Sequence, residues 1–167
     1  MSELTEFRKM KDELFAHDPH SPLTADQLDG FKGLVYFDEN PDLRLEVEVE
    51  PFPEQETVQL QTSTGDIQTY IRYGRFTFEV NGTEAALTLF ASDHGFFLPF
   101  VDSQAGDITY GAGRYLDPER LANGKFLIDF NHAYNPYCAY NEMWSCPLPP
   151  AENRIAVPVE AGEKNFK

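Results

Sequence analysis

The run Phe76-Thr-Phe-Glu-Val-Asn-Gly-Thr-Glu-Ala-Ala-Leu-Thr-Leu-Phe-Ala91 predicts a β-hairpin. Apolar side chains occupy every second position on both sides of Asn81-Gly82, and this period of two is typical of β-strands. Asn-Gly favours a two-residue type I′ turn, because both central residues of that turn take a positive φ. An antiparallel sheet is therefore the first structural prediction.

The same period of two continues on both sides of the hairpin. Apolar residues from Leu43 to Val49 alternate with charged residues, which indicates a half-buried strand with an acidic outer face. Further strands are predicted at residues 58–62, 67–73, 95–101, 110–116, 126–130 and 155–159. So many short strands without helices between them favour a closed or nearly closed antiparallel β-barrel, and a two-sheet β-sandwich is the alternative.

Two helices are predicted before the strands. Apolar residues recur at helical spacing through residues 3–17, which predicts an amphipathic helix. The apolar positions of this helix are Leu4, Phe7, Met10 and Leu14. Thr24 and Gln27 match a capping box, so a second, short helix is predicted over residues 25–30.

Length and composition indicate a single domain over residues 1–167, with a helical segment at 1–30 and a β domain at 31–167. Apolar residues make up 41% of the chain and aromatic residues 14%, which is enough for a packed core. No apolar run approaches the ~18 residues that a membrane-spanning helix needs, and the first residues lack a signal-peptide pattern. A soluble, cytoplasmic protein is therefore expected.

The chain is strongly acidic, with 28 acidic and 13 basic residues and a net charge of −15. A surface of this sign repels the phosphates of nucleic acids and anionic membranes, so neither is expected as a partner. An acidic surface that aids solubility accounts for the charge, and attraction of cations or of a basic partner is the alternative. The sequence does not indicate an oligomeric state.

Residue types that carry chemistry are concentrated between Asp129 and Arg154. This stretch contains both cysteines, the only tryptophan and a histidine, and its prolines stiffen the backbone. A rigid, polar and aromatic loop is typical of a binding site. Its last part, residues 146–154, is rich in proline and predicts an extended segment that lies across the sheet.

A ligand site is predicted around Arg114, which lies in a strand pattern. A partly buried guanidinium there either pairs with an internal acid or binds the carboxylate or phosphate of a ligand. Asp129 and Asn131 share one face of a neighbouring strand, and Asn135 follows them. In the leading hypothesis Arg114 binds a small anionic molecule, which these three residues orient. The apolar walls of the pocket would be Tyr110, Tyr134 and Trp144.

A second hypothesis gives the same motif a structural role. The stretch would then be an internal packing lock, with Arg114 paired to an internal acid and the asparagines bonded to the loop backbone. The protein would be a structural or interaction module. The sequence names neither a cofactor nor a reaction, so whether the protein is an enzyme stays open.

Cys138 and Cys146 support several alternatives. The seven residues between them do not match the spacing of a cysteine zinc site, although His132 could add a third ligand and Asp129 or Glu142 a fourth. A disulfide is chemically possible but disfavoured in the cytosol, and a thiol activated by His132 is a further option. Buried structural thiols are the alternative without a chemical role.

Three C-terminal stretches carry a resemblance to a known family. They are Gly106-Asp-Ile-Thr-Tyr-Gly-Ala-Gly-Arg-Tyr-Leu-Asp117, Asp129-Phe-Asn-His-Ala-Tyr-Asn-Pro-Tyr-Cys-Ala-Tyr140 and Cys146-Pro-Leu-Pro-Pro-Ala-Glu-Asn-Arg154. They look like a family of uncharacterised bacterial and archaeal proteins, catalogued only as a domain of unknown function. Shorter similarities at 21–23, 31–37 and 160–163 extend the resemblance over nearly the whole chain.

His132 departs from the pattern of this family, in which an arginine is usual. An arginine could serve neither as a metal ligand nor as a general base, so the departure weakens both roles for His132. The family has no established activity, and the resemblance therefore implies an identity without a function.

Overall fold

The structure, a computed structural model, describes residues 3–19, 21–93, 95–141 and 144–166. The helices are α1 (Glu3–His17) and α2 (Ala25–Asp29). The strands are β1 (Arg44–Val47), β2 (Glu50–Pro51), β3 (Thr57–Gln61), β4 (Ile67–Val80), β5 (Thr83–Ser92), β6 (Gly95–Phe100), β7 (Arg114–Leu116), β8 (Glu119–Arg120) and β9 (Phe126–Asp129). Short 3-10 helices lie at Pro41–Leu43, Phe130–His132, Tyr137–Ala139 and Ala151–Asn153. Within the described residues, neither α-helix has the length and apolar character to cross a membrane.

The strands form two antiparallel sheets. One sheet has three strands in the order β1-β9-β8, and the other has six, in the order β2-β4-β5-β6-β7 with β3 also paired to β4. The prediction of a mainly β protein with few helices is confirmed. Closure of the strands into a barrel, and the alternative of a β-sandwich, stay predictions.

The hairpin of β4 and β5 forms at the predicted turn. Asn81 and Gly82 have φ angles of 52° and 83°, and both signs are those that a type I′ turn requires. β4 is a single strand of 14 residues and runs through Gly74, where the sequence pattern indicated an interruption. Glycine is needed there because a Cβ atom would lie 2.7 Å from the carbonyl oxygen of Glu50 on the neighbouring strand.

The main hydrophobic core joins side chains from both sheets. From the larger sheet it takes Phe76, Phe78, Leu87, Leu89, Leu98 and Phe100, and from the smaller sheet it takes Phe126 and Ile128. These are alternate positions along their strands, so the period of two in the sequence places them on one face. Burying each such side chain contributes about 1.5–3 kcal/mol relative to leaving it in water.

α1 covers the predicted residues, but its buried face differs from the predicted one. Leu4 and Phe15 are buried, and the ring centroid of Phe15 lies 5.1 Å from that of Tyr140 in the C-terminal loop. The apolar side chains of α1 that remain exposed are Phe7, Met10 and Leu14. The helix therefore packs on the C-terminal loop through one side and leaves an apolar stripe in solvent.

α2 begins with the predicted capping box. The backbone N–H of Gln27 donates to Thr24 Oγ1 at 3.2 Å, and the backbone N–H of Thr24 donates to Gln27 Oε1 at 2.8 Å. Gln27 also donates from Nε2 to the carbonyl of Tyr140 at 2.6 Å. This bond ties the short helix to the same C-terminal loop that α1 contacts.

Residues 146–150 form an extended segment beside residues 61–63, at the end of β3, and we call this segment the proline strap. The backbone N–H of Leu148 donates to the carbonyl of Gln61 at 2.7 Å. The hydroxyl of Tyr115 donates to the carbonyl of Pro147. Of the extended segment predicted over residues 146–154, residues 146–150 are extended and Ala151–Asn153 form a 3-10 helix, and Tyr115 is one side chain that holds the extended part.

Residues 155–159 do not form the predicted strand. Val157 and Val159 alternate as a strand would and are buried in the core. However, the backbone N–H of Val159 donates to Asp102 Oδ2 at 2.8 Å, and its carbonyl accepts from Arg114 Nη2 at 2.9 Å. Backbone bonds to residues 101–103 remain, from the Ile155 N–H to the Val101 carbonyl at 2.9 Å and from the Ser103 N–H to the Val157 carbonyl at 3.1 Å. Only at Val159 do side chains take the place of a partner strand.

Candidate functional site

Arg114 is almost completely buried, with 1% of its surface exposed. Its Nη1 atom donates to the carbonyls of Ala161 at 2.6 Å and Glu163 at 3.1 Å. Its Nη2 atom donates to the carbonyl of Val159 at 2.9 Å and lies 3.5 Å from Asp102 Oδ2. Burial lowers the pKa of Arg114 to about 10, against the opposing effect of the two carboxylates nearby, so the guanidinium remains charged at neutral pH.

Asp102 completes this arrangement, which we call the arginine lock (Arg114, Asp102 and residues 159–163). The Asp102 carboxylate accepts from the Thr109 hydroxyl at 2.6 Å and from the Val159 N–H at 2.8 Å. A buried carboxylate needs a counter-charge and neutral donors to offset the loss of water, and Asp102 has both.

The two charged side chains of the arginine lock, those of Arg114 and Asp102, lie away from five clefts formed by the described residues, although Glu160 of the lock lines one of them. Arg114 lies on β7 in the larger sheet, whereas Asp129 ends β9 in the smaller one. The structure thus does not bring these two residues into one pocket, because the guanidinium is turned toward an internal acid and backbone carbonyls.

Asn131 and Asn135 also bond to the protein's own backbone. Asn131 accepts from the backbone N–H of Asn40 at 2.8 Å and donates to its carbonyl at 2.9 Å. Asn135 donates from Nδ2 to the carbonyl of Lys164 at 2.9 Å. Both asparagines are buried, so their side chains fasten loops in the manner that the packing-lock hypothesis predicts.

Asp129 lies in the wall of a cleft of about 460 Å³ between the start of α1 and the end of β9. The other polar side chains in the lining are Glu3, Glu39, Arg44, Asn131 and His132. We call this the Asp129 cleft. It contains two residues of the predicted ligand site, Asp129 and Asn131, and the histidine that the sequence singled out.

The two oxygens of Asp129 have different surroundings. Oδ1 accepts from the backbone N–H of Asn131 at 3.0 Å and from its Nδ2 at 2.9 Å, which fixes the carboxylate. Oδ2 lies 3.7 Å from Arg44 Nε and 3.7 Å from His132 Nε2. These distances exceed those of hydrogen bonds, so neither Arg44 nor His132 is hydrogen-bonded to Oδ2.

A second cleft, of about 290 Å³, shares Asp129 and His132 with the first. It adds Tyr134, whose hydroxyl donates to Asp117 Oδ2 at 2.7 Å. Burial raises the pKa of Tyr134 above that of a free tyrosine, and the charge of Asp117 acts in the same direction. The ring of His132 lies 4.7 Å from that of Phe7 on α1, centroid to centroid. Asp129, His132 and Tyr134 are therefore brought together beside α1.

Tyr110 and Trp144, the other predicted aromatic walls, lie elsewhere. The Tyr110 hydroxyl is 3.7 Å from Cys138 Sγ. Trp144 is 39% exposed, and its Nε1 donates to the carbonyl of Pro22 at 3.4 Å. Of the three predicted aromatic residues, only Tyr134 lines either of the clefts that contain Asp129.

Cys138 and Cys146 are free, buried thiols. Residues 3–19, 21–93, 95–141 and 144–166 contain no group of three or more His, Cys, Asp or Glu side chains suited to a metal ion. Glu142, considered as a ligand, lies outside the described residues. His132 contacts Asp129 and not the thiols, so the geometry favours neither a mixed metal site nor a thiol activated by this histidine.

Two buried polar residues were not predicted from the sequence. Asn153 is fully buried; its Oδ1 accepts from the Thr88 N–H at 2.8 Å, and its Nδ2 donates to the carbonyls of Thr88 at 2.9 Å and Pro99 at 2.7 Å. Glu163 accepts from the side chains of Lys11 and Tyr140. Both lie in stretches that carry the family resemblance, and this was the only signal in the sequence that could have found them.

Comparisons with known proteins agree with that resemblance. Residues 29–164 match the model of a family described as protein of unknown function (DUF1684). The solution NMR structure of an uncharacterized protein from Haloarcula marismortui is similar, with 38% sequence identity and a TM-score of 0.72. The match covers 97% of this chain and 92% of that one. No curated protein matches the chain.

Proposed function

We propose that this chain, which belongs to the DUF1684 family of proteins of unknown function, binds a small polar molecule in the Asp129 cleft. The observation that carries the proposal is the arrangement of the Asp129 carboxylate. One of its oxygens is fixed by Asn131, and the other lies in the cleft wall between Arg44 and His132. A fixed, partly exposed carboxylate in a concave site is the kind of polar group that orients a small ligand.

The charges around the cleft favour a ligand that donates hydrogen bonds. Three carboxylates, those of Glu3, Glu39 and Asp129, line the cleft together with the two basic groups of Arg44 and His132. The net charge of −15 adds a negative electrostatic potential to that of the three carboxylates. An amine or a polyol is therefore the ligand class that we propose.

The anionic ligand predicted from the sequence depended on Arg114. The donors of that residue are directed at Asp102 and backbone carbonyls, so an anion in the cleft would meet only Arg44 and His132. The experiment below therefore includes anionic probes as the competing outcome.

Titration of isotope-labelled protein, followed by amide NMR spectra, tests the proposal. The probes are a small diamine, glycerol, acetate and inorganic phosphate. We expect the diamine or glycerol to shift amide signals from residues 39–44 and 129–132. Asp129→Asn keeps an acceptor for Asn131 but removes the charge, and it should abolish the diamine-induced shifts. Glu46→Gln on the exposed face of β1 is the matched control and should leave them unchanged.

Two results would contradict the proposal. Either no probe shifts these signals, or the shifts persist undiminished in Asp129→Asn. Shifts produced by the anions alone would favour the anionic ligand predicted from the sequence.

A second candidate function, a structural or interaction module with an internal packing lock, is supported by a different observation. Arg114, Asn131 and Asn135 all direct their donors at the protein's own backbone. The two candidates share Asn131, but Arg114 and Asn135 belong to the lock alone, and the charged side chains of Arg44 and Asp129 belong to the cleft alone. Stability measurements on lock residues and binding measurements on cleft residues therefore test them separately.

A further inference from the structure

Cys138 and Cys146 form a buried pair of thiols away from the Asp129 cleft. The backbone N–H of Cys138 donates to Cys146 Sγ at 3.3 Å, so the Cys146 sulfur lies directly against the backbone of Cys138. Both are free, and their exposed fractions are 6% and 7%. A sulfur held this close to the backbone of the other cysteine brings the two residues within the reach that a disulfide requires.

The backbone on both sides of the pair is held in place. Cys138 lies in the 3-10 helix Tyr137–Ala139. The backbone N–H of Cys146 donates to Ser63 Oγ at 3.2 Å, just before the proline strap pairs with β3. Aromatic and apolar side chains, among them Phe97 and Tyr115, enclose the sulfurs. Only a small oxidant can therefore reach them.

The surroundings of the two sulfurs are unequal. The hydrogen bond with the Cys146 thiol lowers the pKa of Cys138, and the hydroxyls of Tyr110 and Ser63 act in the same direction against the effect of burial. The same contact with Cys138 raises the pKa of Cys146. The thiolate is the form that attacks a peroxide, and the Tyr110 hydroxyl lies 3.7 Å from Cys138 Sγ, where it can donate to a thiolate, so Cys138 is placed to react first.

We propose that Cys138 and Cys146 are a peroxide-oxidisable dithiol that closes to an intramolecular disulfide. In the first step the Cys138 sulfur attacks one oxygen of hydrogen peroxide. The O–O bond breaks, the leaving hydroxide takes up a proton to become water, and a sulfenic acid remains on Cys138. The Cys146 sulfur then attacks the Cys138 sulfur and loses its proton, and the hydroxyl group leaves as a second water. The thiols lose two electrons, which the peroxide gains.

The reaction has a built-in optical readout. The loop between the two cysteines carries Trp144, the only tryptophan of the chain. The indole N–H of Trp144 donates a hydrogen bond to the carbonyl of Pro22. Closing the disulfide at the base of this loop changes the surroundings of the indole ring. Tryptophan fluorescence should therefore follow the oxidation in time. This site uses none of the residues of the Asp129 cleft and does not depend on ligand binding there.

The test treats the native protein with hydrogen peroxide, quenches the reaction, unfolds the protein and labels free thiols with N-ethylmaleimide for intact mass spectrometry. The untreated protein should accept two labels, one for each cysteine. The treated monomer should accept none and should regain both after dithiothreitol. Retention of both labels, oxygen addition without a disulfide, or cross-linking between chains would each overturn the proposal.

Single variants test the order of the two steps. Cys146→Ser keeps a hydroxyl donor toward Cys138, so the sulfenic acid should accumulate on Cys138 and be trapped by dimedone. In Cys138→Ser, trapping at Cys146 should be slower by on the order of tenfold. Equal or faster trapping at Cys146 would contradict the assignment of Cys138 as the attacking sulfur.

A comparison within the wild-type chain keeps the proposal testable if these variants fail to fold. Native protein should form the disulfide faster than protein unfolded in urea, by on the order of tenfold, because the fold holds the sulfurs together. Equal rates would show that the folded structure contributes nothing to the reaction.

Discussion

The arginine lock and the Asp129 cleft use the same residue types in opposite ways. Arg114 is 1% exposed and donates to three backbone carbonyls beside a buried carboxylate. The side chain of Arg44 is 59% exposed and stands 3.7 Å from Asp129. The arginine and carboxylate of the lock are desolvated together, whereas those of the cleft remain partly in water. A polar cluster in a sequence can thus contain both structural groups and groups available to a ligand, and burial distinguishes the two.

The largest expected effect is that of Arg114→Ala. The substitution leaves Asp102 buried without its counter-charge and three carbonyls without their donor, which should lower the free energy of unfolding by about 3–5 kcal/mol. Arg44→Ala is the matched control and should change it by less than about 0.5 kcal/mol, since an exposed ion pair contributes little. Urea unfolding followed by circular dichroism measures both. Equal losses in the two variants would remove the distinction between lock and cleft.

The next effect extends the comparison to an uncharged buried residue. Asn153→Ala leaves the backbone N–H of Thr88 and the carbonyls of Thr88 and Pro99 without their side-chain partner. We expect a loss of about 2–3 kcal/mol in the free energy of unfolding. Asn123→Ala, at an exposed turn where the side chain accepts one bond from Lys125, should cost less than about 1 kcal/mol. A smaller loss for Asn153→Ala than for this control would show that burial does not determine how much unfolding free energy the substitution removes.

Alkaline titration probes the interior in another way. Burial raises the pKa of Tyr140 above the ordinary value of 10.0, and the charge of Glu163 acts in the same direction. Above about pH 10 the unfolded chain therefore releases a proton that the folded chain retains. The stabilisation is complete below that pH and is lost as the pH rises, by about 1.4 kcal/mol per pH unit for each such tyrosine.

Tyr140→Phe should reduce this slope by about 1.4 kcal/mol per pH unit, because one titrating group is removed. Urea unfolding at a series of alkaline pH values measures the slope. A slope unchanged by the substitution would mean that the Tyr140 hydroxyl titrates alike in the folded and unfolded chains.

The smallest expected effect is that of His132→Ala in the cleft. The side chain of His132 is 41% exposed and meets Asp129 at 3.7 Å, beyond hydrogen-bond distance. Its removal should change the free energy of unfolding by less than about 0.5 kcal/mol. Thermal unfolding followed by circular dichroism checks this. A loss above about 2 kcal/mol would place His132 with the structural residues of the interior.

The elements that depend on local pattern could be predicted from the sequence. Asn81 and Gly82 form their turn by themselves, and the capping box of α2 needs only Thr24 and Gln27, which are three positions apart in the chain. The missing strand at 155–159 shows the limit of this reasoning. Its apolar alternation is real, but its backbone bonds to residues 101–103 end at Val157, and at Val159 bonds with Asp102 and Arg114 take their place. Periodicity carries no information about side chains so distant along the chain.

In the candidate site, too, contacts between residues close in the chain could be predicted, and contacts between distant residues could not. Asp129 and His132 are three residues apart and lie together in the cleft, as their short separation in the chain allows. Arg114 donates hydrogen bonds to backbone carbonyls 45 to 49 residues further along the chain. Only the tertiary structure shows that the donors of its guanidinium are used by these partners. Residue type alone could not distinguish a guanidinium open to a ligand from one that is already paired.

The proline strap has a consequence for behaviour in concentrated solution. β3 is an outer strand of the six-stranded sheet, and an uncovered outer strand is a template on which another copy can add. The backbone N–H of Leu148 donates to the carbonyl of Gln61. The prolines of the strap, Pro147, Pro149 and Pro150, have no backbone N–H that could pair with a further strand. At the Gln61 end of β3 the strap therefore offers few free N–H groups to a further strand, which disfavours the addition of a second copy at this point.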